Sequence, residues 1–350
     1  MSSSQTFYIA PDAAASFTAA LLQKAGLPRD QAALMAACLV KADVRGVQYM
    51  DRVTSGLVNP TPVLQLREKT PVAAHLDGDN GFGFIVATRA MQDAINRAQT
   101  YEIGIVTVNH SNHFGMAATY VLQALDQGMI SLVFTNSSAQ MAPFGGKETL
   151  LGTSPFAAGA PSKNEVPYIL DMAPSVVAKG KIRRAALRGE DIPPGWAVDK
   201  DGNPTTDADK AMDGMVVPIC GPKGSGIAIL MDIMSGVLSG AAFGGEVGNQ
   251  YKEAKPQNVG HCFIAIKPDV FMSSDDFRAR MDTLAQRVHA VPAAPGFEEV
   301  LFPGEPEHRL SQQRSSQGIP FVNAEIDMFK AMAAEFDVAL PSISSTPLDI

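Results

Sequence analysis

GIVTVNHSNHFG, residues 104–115, is the stretch of sequence that decides the fold. Residues 104–108 are mostly apolar and predict a short buried strand, which the polar cluster 109–113 ends. A helix over about residues 116–127 and a second strand over 130–135 follow. A strand, a polar turn, a helix and a further strand in this order predict an α/β fold.

The composition of the whole chain is that of a globular protein, with 350 residues of which 46% are hydrophobic and 18% charged. This length allows one large or two ordinary domains. Cys38, Cys220 and Cys262 are widely spaced, and neither a CxxC pair nor Cys/His zinc spacing occurs. They indicate buried thiols in a reducing, cytoplasmic compartment.

Charge and hydropathy limit the possible partners. The net charge is −8, from 28 basic and 36 acidic residues, which disfavours nucleic acid and anionic membranes. The N-terminal residues lack the pattern of a signal peptide. The longest apolar run, 226–242, is interrupted by Asp232 and by serines, so it predicts a buried helix rather than a membrane span. A phosphate-bearing ligand remains possible, because one lysine and a few backbone N–H groups can bind it.

Helical patterns occupy both ends of the chain. The expected helices cover about residues 12–24, with Asp12 as a cap, and about 28–43, 84–100, 275–288 and 323–336, whereas 168–172 predicts a strand and 190–210 a loop. The two ends share this helical character around a glycine-rich middle. This arrangement predicts a discontinuous first domain.

GPKGSG, residues 221–226, is the clearest candidate for phosphate binding, and it opens the long apolar helix. Its glycines let backbone amides approach a ligand, Lys223 supplies a positive charge, and the helix N-terminus adds its partial positive end. The segment matches neither a P-loop nor the GxGxxG fingerprint. The alternative interpretation is a tight glycine turn with a surface lysine.

His110 and His113 are the candidates for proton transfer. They lie just after a predicted buried strand, where catalytic groups are commonly placed. A neutral imidazole there could exchange a proton with a carbonyl or hydroxyl group. The alternatives are a hydrogen-bonded loop histidine and half of a metal site. No further ligand stands at typical spacing, so we expect no metal.

Asp171 ends a predicted strand and precedes a segment that carries Lys179 and Lys181. Its carboxylate could accept hydrogen bonds from ribose hydroxyls, or it could cap the next helix. The two lysines would lie near an anionic ligand or on a solvated helix face. No GxSxG or HExxH motif occurs. The residues alone therefore predict an α/β enzyme with an anion-binding crevice.

Five segments, in this order and spacing, resemble the malate/L-lactate/ureidoglycolate/sulfolactate dehydrogenase family. They are VNHSNHFGMAATY (108–120), PFGGKETLLGTSPFAAGAP (143–161), DMAPSVVAKGKI (171–182), WAVDKDGNPTTD (196–207) and GPKGSGIAILMDIMSGVLSG (221–240). The family also includes diketogulonate reductase and the piperideine/pyrroline-2-carboxylate reductases. The resemblance spans essentially the whole chain.

The resemblance implies an α/β fold that is not of the Rossmann type. An NAD(P)-binding domain with a mixed sheet, residues 108–287, is inserted into a discontinuous, helix-rich domain formed by 1–107 and 288–350. It also implies a homodimer and NAD or NADP as the cofactor. The implied cofactor contacts are His113, Phe114, Gly115, Met116, Ala117, Ser137, Asp171, Met172, Ala173, Lys223, Gly224, Gly304 and Glu305.

The resemblance also assigns the chemistry, which is hydride transfer between the cofactor and a small 2-oxo or 2-hydroxy acid. His113 matches an acid/base of some members. Lys181 occupies the position of an aspartate that relays charge in the imine-reducing branch, so it favours a 2-hydroxy acid over the alternative, a cyclic imino acid reduced with NADPH.

The chain departs from the family at the Val47–Gln48 junction. The family carries a Ser-His-Gly stretch and then an arginine at this place; the histidine donates a proton and the arginine binds the substrate carboxylate. If the protein lacks that segment, a third alternative is a cofactor-binding protein without efficient catalysis. His113 would then be the obvious proton donor.

Overall fold

The computed structural model describes residues 6–41, 52–249 and 255–350. The helices are α1 (Pro11–Lys24), α2 (Arg29–Lys41), α3 (Gly83–Tyr101), α4 (Ala118–Leu125), α5 (Lys179–Arg188), α6 (Ala208–Asp213), α7 (Pro222–Asp232), α8 (Ser274–His289), α9 (Glu305–Gln317) and α10 (Asn323–Phe336). A π-helical turn, Ile233–Val237, continues α7, and a 3-10 turn, Pro268–Val270, precedes α8.

A seven-stranded mixed sheet forms the centre of the molecule, in the order β2-β3-β4-β11-β5-β6-β7. Within it β3 and β4 are parallel, and every other neighbouring pair is antiparallel. Its strands are β2 (Gln65–Thr70), β3 (Ala73–Asp77), β4 (Ile103–Ser111), β5 (Ile130–Thr135), β6 (Phe156–Ala160), β7 (Tyr168–Met172) and β11 (Val259–Ile266).

Two small sheets accompany the central one. β1 (Thr6–Ile9) pairs with β12 (Ile319–Val322), and β8 (Ala197–Val198) lies between β9 (Pro204–Thr205) and β10 (Met215–Val216). The pair of β1 and β12 joins the two ends of the chain.

The three largest apolar clusters of the described residues correspond to these layers. The first joins α1 and α2 to β12 and α10, so residues from both ends of the chain share one core. The second packs α3 and α4 on one face of the central sheet. The third lies among α5, α6, the short strands and the middle of α7. The first core agrees with a discontinuous helical unit, but the predicted boundary at residue 107 falls inside β4, so the exact domain limits stay a prediction.

Most expected elements are present, and the mixed α/β fold class is confirmed. Three expectations are wrong. The polar cluster does not end the strand after residue 108, because β4 continues to Ser111 through hydrogen bonds to β11. Residues 190–210 contain β8, β9 and the start of α6 instead of a continuous loop. Asp12 lies in the first turn of α1, whose N-cap position is Ala10. The expected end of α2 near residue 43 and the Val47–Gln48 junction lie outside the described residues.

Candidate active site

The carboxyl ends of four strands meet at one edge of the central sheet. β11 is antiparallel to both β4 and β5, and β6 is antiparallel to both β5 and β7, so β4, β5 and β7 run in the same direction. β3 is parallel to β4 and therefore joins them. His113, Ser137 and Asp171 lie at or just after the ends of β4, β5 and β7. Tertiary folding thus gathers three candidate residues that are distant in sequence at one edge.

His113 is a partly buried histidine whose backbone and ring are both held. Its backbone N–H donates to Gln257 Oε1 at 3.1 Å, and its Nδ1 accepts from the Gly115 N–H at 3.3 Å. Burial lowers the pKa of the His113 imidazole to about 4, because the surrounding protein disfavours the charged ring. The ring is therefore neutral at neutral pH.

Close packing fixes the segment 112–115 against α3. A Cβ on Gly83 would lie 2.1 Å from the Asn112 carbonyl oxygen, so only glycine allows the start of α3 to approach this segment. Gly115 has φ +79° and lies against the Phe84 ring, where a Cβ would meet Cε1 at 2.4 Å. These contacts position His113 without using its side chain.

Phe114 is buried, and its ring faces the core rather than the crevice. The Phe114 ring stacks on His261 with a centroid distance of 4.6 Å and an interplanar angle of 4°. Its carbonyl accepts from the Tyr120 hydroxyl at 2.5 Å. Any cofactor contact from Phe114 therefore comes from its backbone. Ala117 is also buried, whereas Met116 is partly exposed.

Asp171 caps the N-terminus of α4, which precedes it in the chain. Its Oδ2 accepts from the Ala118 N–H at 2.8 Å. The expectation that it could cap the following helix is wrong, because α5 has Ala178 at its N-cap position. Desolvation raises the pKa of the Asp171 carboxyl, and the N–H groups of Ala117 and Ala118 partly oppose this. The side chain keeps exposed surface, and its second oxygen has lone pairs available for a hydroxyl donor.

Ser137 packs against the chain that leads into β6. Its Oγ accepts from the Ser154 N–H at 3.2 Å, and a Cβ on Gly152 would lie 2.4 Å from this oxygen. Phe156, at the start of β6, pairs with Met172 at the end of β7. Ser137, Met172 and Ala173 therefore lie near the same edge of the sheet.

Lys223 and Gly224 lie in the first turn of α7, as expected, but the backbone cradle differs from the expectation. The N–H groups of Lys223, Gly224 and Ser225 donate to the carbonyls of Cys220, Ile219 and Gly221. These amides are already used within the segment. The exposed Lys223 ammonium is therefore a better candidate for a phosphate contact than the amides.

Gly304 and Glu305 lie beside β7. Gly304 has φ +102° and approaches Ile169, whose N–H donates to the Pro303 carbonyl at 3.1 Å. The buried Glu305 carboxylate accepts from the Phe302 N–H at 2.9 Å and contacts His289 Nε2 at 2.7 Å. The Glu305 side chain thus forms its contacts within the protein, at the start of α9.

The remaining sequence candidates have different surroundings. Lys181 is exposed on α5, whereas Lys179 Nζ donates to the Gly214 carbonyl at 3.3 Å. His110 Nδ1 contacts Asp77 Oδ1 at 3.0 Å, at the ends of β4 and β3. Cys220 is exposed, so the expectation of a buried thiol is wrong there and right for Cys38 and Cys262.

Sequence reasoning missed His261. It lies in β11, is fully buried, and contacts hydroxyls from the two neighbouring strands. A single histidine in an apolar strand gives no local sequence signal that its ring will contact two neighbouring strands.

Two absences concern the described residues only. In residues 6–41, 52–249 and 255–350, no three His, Cys, Asp or Glu side chains gather as metal ligands would. Over the same ranges no helix is long and apolar enough to cross a bilayer.

The geometry fits a nicotinamide dinucleotide. Lys223 offers a cation for phosphate, Asp171 offers an oxygen for a ribose hydroxyl, and His113 offers a neutral imidazole. Mixed strand directions and the missing GxGxxG separate this sheet from the Rossmann fold. The fold and the strand-end residues together are those expected of an α/β enzyme that binds its ligand at a sheet edge.

Comparison with known proteins agrees with this class. The sequence profile described as malate/L-lactate dehydrogenase matches residues 9–330. L-sulfolactate dehydrogenase from Methanocaldococcus jannaschii is 39% identical over 307 residues, which cover 84% of this chain and 87% of that protein. Ureidoglycolate dehydrogenase (NAD(+)) from Escherichia coli is 36% identical over 312 residues, with coverage of 86% and 89%.

A solved structure of malate dehydrogenase from Entamoeba histolytica superposes with a TM-score of 0.92 at 29% identity, and the match covers 97% of this chain and 100% of that one. The chain belongs to the malate/L-lactate dehydrogenase family. The expected resemblance and the expected enzyme class, an NAD(P)-dependent oxidoreductase, are therefore confirmed.

Proposed function

We propose that the protein interconverts a small 2-hydroxy acid and its 2-oxo acid by hydride transfer with NAD or NADP, and that His113 exchanges the proton on the substrate oxygen. The observation that carries this proposal is the convergence of the ends of β4, β5 and β7, which brings His113, Ser137 and Asp171 to one sheet edge. The relatives named sulfolactate, ureidoglycolate and malate dehydrogenase support a 2-hydroxy acid as substrate.

The cofactor supplies the hydride acceptor or donor, and the protein contributes binding, orientation and electrostatics. Lys223 binds a phosphate by its positive charge. Asp171 accepts a hydrogen bond from a ribose hydroxyl through Oδ1, the carboxylate oxygen that does not cap α4. The segment 113–117, with Ser137, Met172, Ala173 and the backbone near Gly304, forms the rest of the crevice. Lys181 supplies a cation near the substrate carboxylate.

His113 acts through Nε2. Nδ1 accepts a hydrogen bond from the Gly115 N–H. This bond directs Nε2, the other ring nitrogen, to the substrate oxygen. Burial keeps the free ring neutral, with its pKa lowered to about 4. A bound substrate carboxylate favours the charged ring and raises this pKa towards the working range of an acid/base.

The test is turnover of His113→Ala with a panel of 2-hydroxy acids. We expect turnover to fall about 10²-fold or more while the cofactor still binds. His110→Ala is the matched control, since His110 lies near the end of the same strand and pairs with Asp77. It should change turnover only a few-fold. Near-normal turnover of His113→Ala would refute the role of His113.

The alternatives are a cyclic imino acid reduced with NADPH and binding without efficient turnover. Lys181, at the position of an aspartate in the imine-reducing branch, favours the hydroxy acid. Comparing the rates with a 2-oxo acid and with piperideine-2-carboxylate distinguishes the proposed reaction from the first alternative. Cofactor binding by calorimetry without turnover of any substrate would favour the second.

We also propose that the protein is a cytoplasmic homodimer. An apolar row on α7 and its π-helical turn is exposed in the single chain: Ile229, Leu230, Ile233 and Val237. Such a row is typical of a surface that a partner covers. Ile233→Glu should shift the sedimenting species from dimer to monomer, whereas Leu187→Glu, at an exposed apolar residue on α5, should not. A wild-type monomer would refute the dimer.

A further inference from the structure

The side chain of His261 connects the ends of two strands that do not touch each other. β11 lies between β4 and β5. From this strand the His261 ring reaches Ser111 Oγ at 2.9 Å through Nε2 and Thr135 Oγ1 at 2.8 Å through Nδ1. Ser111 ends β4 and Thr135 ends β5. Ser111 lies two residues before His113, and Thr135 lies two residues before Ser137.

The backbone pairing is irregular at this same place. The register between β11 and β4 shifts between Val259 and His261, as it does at a β-bulge. A bulge disrupts the ladder and leaves a residue unpaired, so the backbone alone defines the end of β4 less well than its middle. The bond between His261 and Ser111 supplies a connection where the ladder is interrupted.

The ring also supports the loop that carries His113. The stacking of His261 on Phe114 places a flat, buried surface directly beneath the residue that follows His113. His261 is neutral in this environment, because burial lowers the pKa of its imidazole to about 3. A neutral ring has one donor and one acceptor, and a hydroxyl on each side can complement either. This group therefore orients its neighbours and does not exchange protons with them at neutral pH.

We propose that His261 is a positioning residue that sets two halves of the site through two separate hydrogen bonds. The bond to Ser111 positions His113 for proton transfer, and the bond to Thr135 positions Ser137 for cofactor binding. This inference rests on the proposed function, and the two bonds can be removed independently.

The experiment uses the full-length protein with His261→Gln and His261→Asn. A glutamine amide reaches the Nε2 position and keeps the bond to Ser111, whereas an asparagine amide reaches the Nδ1 position and keeps the bond to Thr135. We expect His261→Asn to lower kcat about tenfold with a nearly unchanged Kd for the cofactor. We expect His261→Gln to raise that Kd about tenfold and to leave kcat within about threefold.

Ser111→Ala and Thr135→Val remove the same bonds from the other side and leave the ring in place. Ser111→Ala should reproduce His261→Asn, and Thr135→Val should reproduce His261→Gln. These variants keep the test decisive if a substitution of the ring prevents folding. Ile95→Ala is the matched control, since Ile95 is fully buried in the same core but lies on α3. It should lower stability and leave both kcat and Kd unchanged.

Two measurements do not depend on turnover. Calorimetry gives the cofactor Kd, and NMR of the His113 ring gives its pKa, which should rise in Ser111→Ala and stay low in Thr135→Val. Equal changes of kcat and Kd in the paired variants, or changes that follow stability alone, would overturn the inference. If His113→Ala keeps its turnover, the role of His113 fails instead, and the separate effect on cofactor Kd still tests the bond to Thr135.

Discussion

Acidification should lower the free energy of unfolding through protonation of His261 in the unfolded chain. His261→Phe should remove this contribution to the loss of stability. The pKa of His261 in the folded protein is lowered to about 3, against an ordinary value of 6.5. The unfolded chain therefore binds more protons between these values, so stability falls as the pH decreases below about 6.5. At about pH 4.5 the loss amounts to roughly 3 kcal/mol from this residue alone. His113, with its pKa lowered to about 4, adds a loss of the same sign.

Phenylalanine keeps the stacking surface against Phe114 and cannot take up a proton. His261→Phe also removes the two hydrogen bonds of the His261 ring, which lowers the free energy of unfolding by about 1–3 kcal/mol at neutral pH. The Ser111 and Thr135 hydroxyls then turn to the nearby carbonyls of Asn112, at 3.4 Å, and Asn136, at 3.2 Å. We therefore expect His261→Phe to be less stable than the wild type at about pH 7.5 and equally or more stable at about pH 4.5.

The assay is urea unfolding at both pH values, with the free energy taken from curves of equal m-value. His308→Ala, at an exposed histidine on α9, is the control and should keep the wild-type pH dependence. A constant difference in free energy between wild type and His261→Phe at the two pH values would refute the reasoning.

The other predictions concern the crevice. Asp171→Ala should weaken cofactor binding and, by removing the cap of α4, lower the free energy of unfolding by about 1 kcal/mol, measured by calorimetry and urea titration. Lys223→Ala should raise the KM for the cofactor and reduce its dependence on salt, with kcat little changed. Gly115→Ala should lower kcat and stability together, because its Cβ would meet Phe84 at 2.4 Å, whereas Gly180→Ala has open space and should lower neither. An unaltered KM in Lys223→Ala or wild-type kcat in Gly115→Ala would contradict these expectations.

The strand-end candidates could be predicted because their signals are local. An apolar run predicts a strand, as at residues 104–108, although pairing with β11 extends this strand to Ser111. Strands that run in the same direction then bring their ends to one edge of the sheet. The helices α3 and α10 were predictable for a similar reason, since their apolar periodicity is independent of the rest of the chain.

Long-range contacts set the remaining features. Asp171 caps a helix that begins 53 residues earlier, and only the position of β7 beside α4 makes this contact possible. The N–H groups of Lys223, Gly224 and Ser225 donate to carbonyls that precede them in the chain. Glu305 is engaged by His289 from another helix. No local pattern carries this information.

The place of β11 in the sheet has a consequence for how the protein forms. β11 pairs with β4 and β5, yet it follows them by more than a hundred residues. Before residue 259 leaves the ribosome, β4 and β5 each keep an unpaired edge, and the two halves of the sheet have no strand between them. Folding thus waits on a late segment and on contacts of large sequence separation, which slows it and leaves strand edges open to aggregation in the nascent chain.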